Sequence, residues 1–440
     1  MYEIKKADDA LKKLLPPVKL RLDADYIPSQ FCLAFEHEGK NYVFNTLTKQ
    51  FVEAALPESA RAGEGYDDLI RAQLLVPKDR DECAYYNGIS AIYRVYNRKK
   101  GVQSYTILPT FACNARCVYC YEEGVKPLTM DAETVEQCIR YILSSRQGDQ
   151  IHLAWFGGEP LLCPDIIDRI CAGVREAGLL YTSSMISNGS LITPAIIEKM
   201  TGDWKLKRIQ ISVDGAEEDY IARKRYLQYH DEYHRVMENI NALSKAGIRV
   251  KVRCNVDERN WDNTPRFLED MAAAIEYKEN VSLYFAPLNQ TKKREGFLSL
   301  CKKISETGNT VMDAGFRICS QAINAEHFRM NHCMADAGDV VISPDGGLYP
   351  CEHCPPESRF GDIWQGVTDE KARREFCRVD RTREKCRTCP FLPICTSFSA
   401  CPIEVGPCRE MQKMLALELL KAWIDKAQVS DGADDEITFC

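Results

Sequence analysis

YTILPTFACNARCVYC, residues 105–120, is the stretch whose reading decides the fold. A β-rich run, Tyr105–Leu108, meets a turn at Pro109 and then three cysteines spaced Cys113-x3-Cys117-x2-Cys120. Working outward to Pro287, short β-rich runs alternate with amphipathic helical stretches, which predicts a parallel sheet built from six βα units. The remaining strand candidates are Ile151–Phe156, Tyr181–Ile186, Arg208–Val213, Val250–Val256 and Ser282–Phe285. Helical periodicity covers Ala132–Ser144, Pro164–Glu176, Thr193–Met200, Tyr233–Ala246 and Pro265–Ile275. Each strand candidate ends on polar or Gly-bearing residues: the cysteine run, Gly157-Gly158-Glu159-Pro160, Ser187-Asn188-Gly189, Asp214-Gly215, Asn255 and Asn289. Sites of parallel barrels gather at the C-terminal strand ends, so these groups are expected to share one mouth.

The chain has 440 residues, 57 basic and 64 acidic side chains, and a formal net charge of -7. No long basic run is present to neutralise phosphates, which argues against a nucleic-acid partner. Met1–Leu20 mixes charges with apolar residues and lacks the apolar core of a secretory signal. No stretch reaches the roughly 18 uncharged apolar residues a membrane span needs, so a cytoplasmic protein is expected. The 21 cysteines then point to metal rather than disulfides, because a reducing compartment keeps thiols free. Cys32, Cys83, Cys138, Cys163, Cys171, Cys254, Cys301 and Cys440 stand singly and read as small buried hydrophobes. The others fall mainly in two groups, at 113–120 and 319–408.

Three thiolates on a loop leaving a strand can ligate three irons of a [4Fe–4S] cube and leave the fourth iron open. An open iron can chelate the amino and carboxylate groups of S-adenosylmethionine (SAM), and one electron passed to the sulfonium then yields a 5′-deoxyadenosyl radical. In Cys113, Cys117 and Cys120, followed by Gly157-Gly158-Glu159, the chain resembles the radical SAM superfamily, which implies a partial (β/α)6 TIM-like barrel. The resemblance places Tyr119 beside the adenine, assigns the methionyl amino group to Gly157, Gly158 and Glu159, and puts Ser187 and Ser212 where the family places ribose or carboxylate contacts, with Arg253 or Asn255 assisting. The rival readings are a thiol redox motif or a zinc site, though zinc would want a fourth ligand from a nearby Cys or His pair, and none stands close.

Further on, Cys333, Cys351, Cys386, Cys389, Cys395, Cys401 and Cys408 are interleaved with Gly and Pro turns. This field resembles the SPASM extension that follows many radical SAM barrels. The resemblance implies two auxiliary [4Fe–4S] clusters, three clusters in all. One would sit on Cys333, Cys351 and Cys401, with Cys319 or Cys354 as its fourth ligand or an iron left open. The other would sit on Cys386, Cys389, Cys395 and Cys408. The gap of five residues between Cys395 and Cys401 is longer than that family's usual spacing. Glu352, next to Cys351, is the candidate catalytic base; His332 and His353 are further candidates as ligands or proton carriers.

The expected organisation is a small N-terminal α+β domain over 1–100, the barrel over 101–310, a cysteine-rich SPASM domain over 311–425 and a frayed tail over 426–440. In the first domain Phe31–Phe35 and Tyr42–Asn45 flank Glu38-Gly39-Lys40 as a hairpin, and Tyr66–Leu75 is read as a helix. The layout resembles maturases of ribosomally made peptides. That implies a Cys-containing precursor peptide with a leader, a small electron donor such as flavodoxin or ferredoxin, and a crosslink, such as a thioether, as product. The alternatives are a sulfatase-type maturase that makes formylglycine, and a zinc-holding interaction protein without catalysis.

Overall fold

The computed structural model describes residues 4–6, 18–98, 102–228, 230–288, 296–318, 339–353, 356–377 and 387–394, with positions 416, 417, 420, 421 and 424. Among the ligand candidates, Cys319, Cys333, Cys354, Cys386, Cys395, Cys401 and Cys408 lie outside the described residues, as do His332, Asn289 and Cys440.

The N-terminal part holds β1 (Ile4–Lys6), β2 (Asp25–Pro28), β3 (Cys32–His37), β4 (Lys40–Asn45), β5 (Phe51–Glu53), β6 (Ala60–Arg61), α1 (Asp67–Arg71), β7 (Leu75–Pro77) and α2 (Glu82–Arg98). Two small antiparallel sheets form, ordered β1-β5-β4-β3 and β6-β2-β7. The expected hairpin joins β3 and β4, turning on Glu38 and Gly39, which both have positive φ. The expected helix over Tyr66–Leu75 is shorter: α1 ends at Arg71, Gln73 turns left-handed at φ 57, and Leu75–Pro77 becomes a strand paired to β2. The apolar run after Gln73 is claimed by that pairing rather than by a helix face. Leu33, Tyr42, Phe44 and Phe51 pack on Phe391, Ala416, Leu420 and Ile424, which ties the N-terminal sheet to the end of the described chain.

The large sheet contains β8 (Ser104–Ile107), β9 (Gln150–Trp155), β10 (Leu180–Ser187), β11 (Leu206–Ser212), β12 (Arg249–Val256), β13 (Val281–Pro287) and β14 (Arg317–Ile318). It continues through β15 (Asp339–Ile342), β16 (Gly347–Tyr349), β17 (Gly361–Asp362) and β18 (Gly366–Val367). The order is β14-β13-β12-β11-β10-β9-β8-β15-β16-β17-β18; β8 to β15 pair with one another in parallel, and β15 to β18 pair antiparallel. Among the described residues the two edge strands do not pair, so the barrel they form is open. This is the partial TIM-like barrel expected from the alternation, extended past residue 310 by strands from the cysteine-rich segment.

Helices α3 (Ala132–Ser145), α4 (Pro164–Glu176), α5 (Pro194–Thr201), α6 (Glu217–Lys224), α7 (Glu232–Lys245) and α8 (Thr264–Ala274) cover the outer face. The α3 helix starts where Asp131 accepts from the Thr134 amide, and it buries Val135, Cys138, Ile139 and Ile142 at helical spacing. These pack on Ile151, Leu153 and Trp155, the odd positions of β9. Even positions therefore face the hollow. Cys83, Cys138, Cys171, Cys254 and Cys301 are buried, whereas Cys32 and Cys163 are half-buried. No helix among the described residues is long and apolar enough to cross a membrane.

Candidate active site

The cysteine loop leaves β8 and is gripped from two sides. On one side, the Gly158 and Glu159 amides donate to the Thr110 and Ala112 carbonyls at 3.0 and 2.9 Å. A Cβ on Gly157 would stand 2.4 Å from the Thr110 carbonyl oxygen, and one on Gly158 would stand 2.3 Å from that of Ala112. Only glycine permits this backbone approach. On the other side, the Arg116 amide donates to the Lys224 and Arg225 carbonyls, and the Val118 amide donates to the Arg223 carbonyl. Asn114 joins the loop to the end of β10, accepting from Asn188 Nδ2 at 2.7 Å and donating to Ser190 Oγ at 3.0 Å.

Glu159 is fully buried. Its carboxylate accepts from Ser187 Oγ, the Leu161 amide and the Asn188 amide at 2.9, 3.1 and 2.8 Å. Burial pushes its pKa up, against these donors. Glu159 and Ser187, named as cofactor contacts, therefore also lock two strand ends together.

A second buried cluster surrounds Tyr119. Its hydroxyl donates to Asp214 Oδ2, and Lys224 Nζ donates to the Tyr119 hydroxyl at 3.0 Å and to Ser212 Oγ at 2.6 Å. Lys224 Nζ lies 3.2 Å from Asp214, and both side chains are almost wholly enclosed. Burial opposes the ammonium, but Asp214 and Tyr119 outweigh it and hold Lys224 well above its usual range. Asn255 Nδ2 donates to Asp214 Oδ1 at 2.8 Å, and Arg253 Nε donates to Asn255 Oδ1 at 2.9 Å. Tyr119, Ser212, Arg253 and Asn255 are thus brought into one network. Sequence reasoning missed its centre, Asp214 and Lys224. Asp214 was visible as a polar strand end; Lys224, on a helix without a motif, gave no signal. Neighbouring Arg223 is buried too, donating to Asp257 at 3.1 Å, while its Nε and Nη2 find no hydrogen-bond partner among the described residues.

Above the loop sits the segment 351–353. The Tyr121 and His353 rings stand 4.0 Å apart, Glu352 Oε2 lies 3.3 Å from Cys351 Sγ, and the His353 amide donates to the same sulfur. Burial lowers the His353 pKa, with Glu352 opposing the shift. Glu352, Cys351 and the cysteine loop are therefore neighbours, although more than 200 residues separate them in sequence.

The hollow below is polar. His152 bonds Thr182 and Ser184 through its two ring nitrogens at 3.0 and 2.8 Å, and burial, with Arg208 adding to it, lowers its pKa to about 4. Tyr284 donates to Gln210, and Lys251 stands 4.9 Å over the Tyr284 ring.

Cys113, Cys117 and Cys120 are free and half-buried. A single tetrahedral zinc with Zn–S near 2.3 Å would draw its sulfurs to about 3.8 Å from one another. Among the described residues, the only three ligand-type side chains whose ligand atoms lie within 4.8 Å of one another are Glu217, Asp231 and His234 on the surface. At least one pair of the three sulfurs therefore lies more than 4.8 Å apart, a spacing compatible with thiolates on separate irons of a cube. Burial pushes the Cys113 thiol up to about 11 and raises Cys120 as well, so cluster binding has to expel protons there.

Residues 107–271 match the family model described as the radical SAM superfamily. The AdoMet-dependent heme synthase of Methanosarcina barkeri is 22% identical over 320 residues, spanning 66% of this chain and 89% of its own. The structure of anSMEcpe with bound AdoMet and the Cp18Cys peptide superposes with a TM-score of 0.56 at 16% identity, covering 74% of this chain and 98% of that one. Streptococcus suis SuiB bound to its precursor peptide SuiA gives 0.52 at 14% identity, covering 87% and 98%. With the three-thiol loop at the mouth of an open barrel, this match makes the chain an enzyme carrying a radical SAM domain, which implies one [4Fe–4S] cluster and SAM.

Proposed function

We propose that this enzyme is a peptide maturase that abstracts hydrogen from a residue of a precursor peptide and closes a crosslink, a thioether from a Cys sulfur to that carbon. The observation that carries the reading is the open sheet: an unclosed, polar hollow leads to the cysteine loop and can admit an extended chain. The peptide-bound structures of similar fold support it. When bound, the cluster and SAM supply an electron and a 5′-deoxyadenosyl radical.

The chain's own residues bind, orient and exclude water. Cys113, Cys117 and Cys120 hold the cube, and Gly157, Gly158 and Glu159 shape the ledge for the methionyl group. Tyr119, Ser212, Arg253 and Asn255 line the nucleoside side, with Ser187 behind Glu159. Glu352, at the rim, takes the proton of the substrate thiol. Cys333, Cys351 and Cys401, with Cys319 or Cys354 as fourth ligand or an iron left open, would hold one auxiliary cluster and Cys386, Cys389, Cys395 and Cys408 a second; these would supply a sink for the surplus electron, and a flavodoxin or ferredoxin would supply the first. The N-terminal sheets hold the leader.

The test is anaerobic reconstitution. About twelve irons per chain are expected from three cubes, and changing Cys113, Cys117 and Cys120 together to Ala removes about four of them and abolishes 5′-deoxyadenosine formation. Zinc without sulfide, or undiminished 5′-deoxyadenosine from the variant, would refute the reading. Fragmentation of the product separates a crosslink from an aldehyde, the outcome expected of a formylglycine-forming enzyme.

A further inference from the structure

The register of the eight parallel strands fixes which side chains face the hollow. His152 is inward, since its ring bonds Thr182 and Ser184 across β9 and β10. Ser184 pairs with Arg208, Arg208 with Arg249, Lys251 with Ser282, and Ser282 with Arg317. Alternation along β12 then puts Arg249, Lys251 and Arg253 on the same concave face. On the opposite flank Asp339 pairs with Ser104, which itself pairs with His152. The inward positions of β8 to β15 thus carry five cations, Arg208, Arg249, Lys251, Arg253 and Arg317, and one carboxylate, Asp339. In a chain whose net charge is -7, this is a local reversal of sign.

These charges are also accessible. Arg208, Arg249 and Arg317 are exposed, and Lys251 and Arg253 are half-buried. The three cations of β12 form a column of about 13 Å at about 3.3 Å per residue, running from the foot of the sheet to the mouth. Lys251 lies over the Tyr284 ring, and Arg253 reaches Asn255 beside the buried Asp214 cluster. An extended peptide presents every second side chain to one face, which matches a column of cations on alternate residues.

We propose that the hollow selects an acidic substrate: a peptide segment with Asp or Glu close to the modified residue, held by Arg208, Arg249, Lys251 and Arg317 while the reacting carbon reaches the mouth. This rests on the peptide reading above and names the chemistry of the peptide. Cations lining a concave, low-dielectric face focus the field on an anionic partner and speed its capture.

The experiment uses the anaerobically reconstituted full-length enzyme and two fluorescein-labelled Cys-containing peptides that differ only in Asp and Glu against Asn and Gln. Anisotropy should show the acidic peptide binding at least about tenfold tighter at low salt, with most of that advantage gone at about 0.5 M salt. The wild-type comparison needs no variant. The double change Arg249→Gln with Lys251→Gln should bring the two peptides to within about twofold of each other, its iron content reporting that the fold is intact. Equal binding of the two peptides overturns the proposal, as does GTP binding while neither peptide binds, since the cations would then serve a nucleotide. Equal peptide binding with SAM cleavage intact defeats this inference alone. An acidic preference without any 5′-deoxyadenosine defeats the maturase reading and leaves this one standing.

Discussion

The two ends of the concave face handle charge in opposite ways. At the mouth, Lys224 meets Asp214 at 3.2 Å and Arg223 meets Asp257 at 3.1 Å, each pair withdrawn from water. Lower on the sheet, Arg208, Arg249 and Arg317 are exposed, and the cations outnumber the carboxylates. A buried pair must be complete when the chain folds, because a lone charge there is too costly. Exposed cations cost little and leave the face able to meet an anionic partner. The mouth therefore reads as scaffold and the hollow as reception surface.

Three changes sharpen that contrast, with effects that shrink from mouth to hollow. Lys224→Met should cost about 3–5 kcal/mol in urea unfolding, because it strands Asp214 without a counter-charge; adding Asp214→Asn should restore part of the loss. A single change with no penalty would mean that the pair is not closed to water. Gly158→Ala should cost about 3 kcal/mol and lower iron incorporation at the loop, since its Cβ would press on the Ala112 carbonyl at 2.3 Å. A normal iron count would show that the ledge yields.

The smallest effect belongs to His152. Its folded pKa, about 4, lies below the ordinary value of 6.5, so the folded chain binds fewer protons than the unfolded chain between those values. Its stabilising share is complete above pH 6.5 and is lost as pH falls through 6.5 to 4, with a slope of at most one proton. His152→Gln should flatten the urea midpoint across that window, and an unchanged slope would place the titration elsewhere.

Much of the barrel was legible because local rules agree with the tertiary result. Alternation of β-rich and helical periods located all six strands, β8 to β13, each end to within two residues, since buried parallel strands and their covering helices both need apolar residues at fixed spacing. The Tyr66–Leu75 region failed because an apolar run after Gln73 can serve either a helix or a strand, and pairing with β2 settles the choice. The short strands β14 to β18 carry too few residues for any period to register.

The sequence by itself determined the three-thiol loop, the two glycines that let it approach the next strand end, and the parallel sheet beneath them. These depend on spacing and on the backbone freedom of single residues, which are local properties. Only the tertiary structure decided that Lys224 reaches Tyr119 and Ser212 across 105 and 12 residues, that Tyr121 faces His353, and that five cations share one concave face. Those depend on strand register and crossover, which bring together side chains that no local pattern relates.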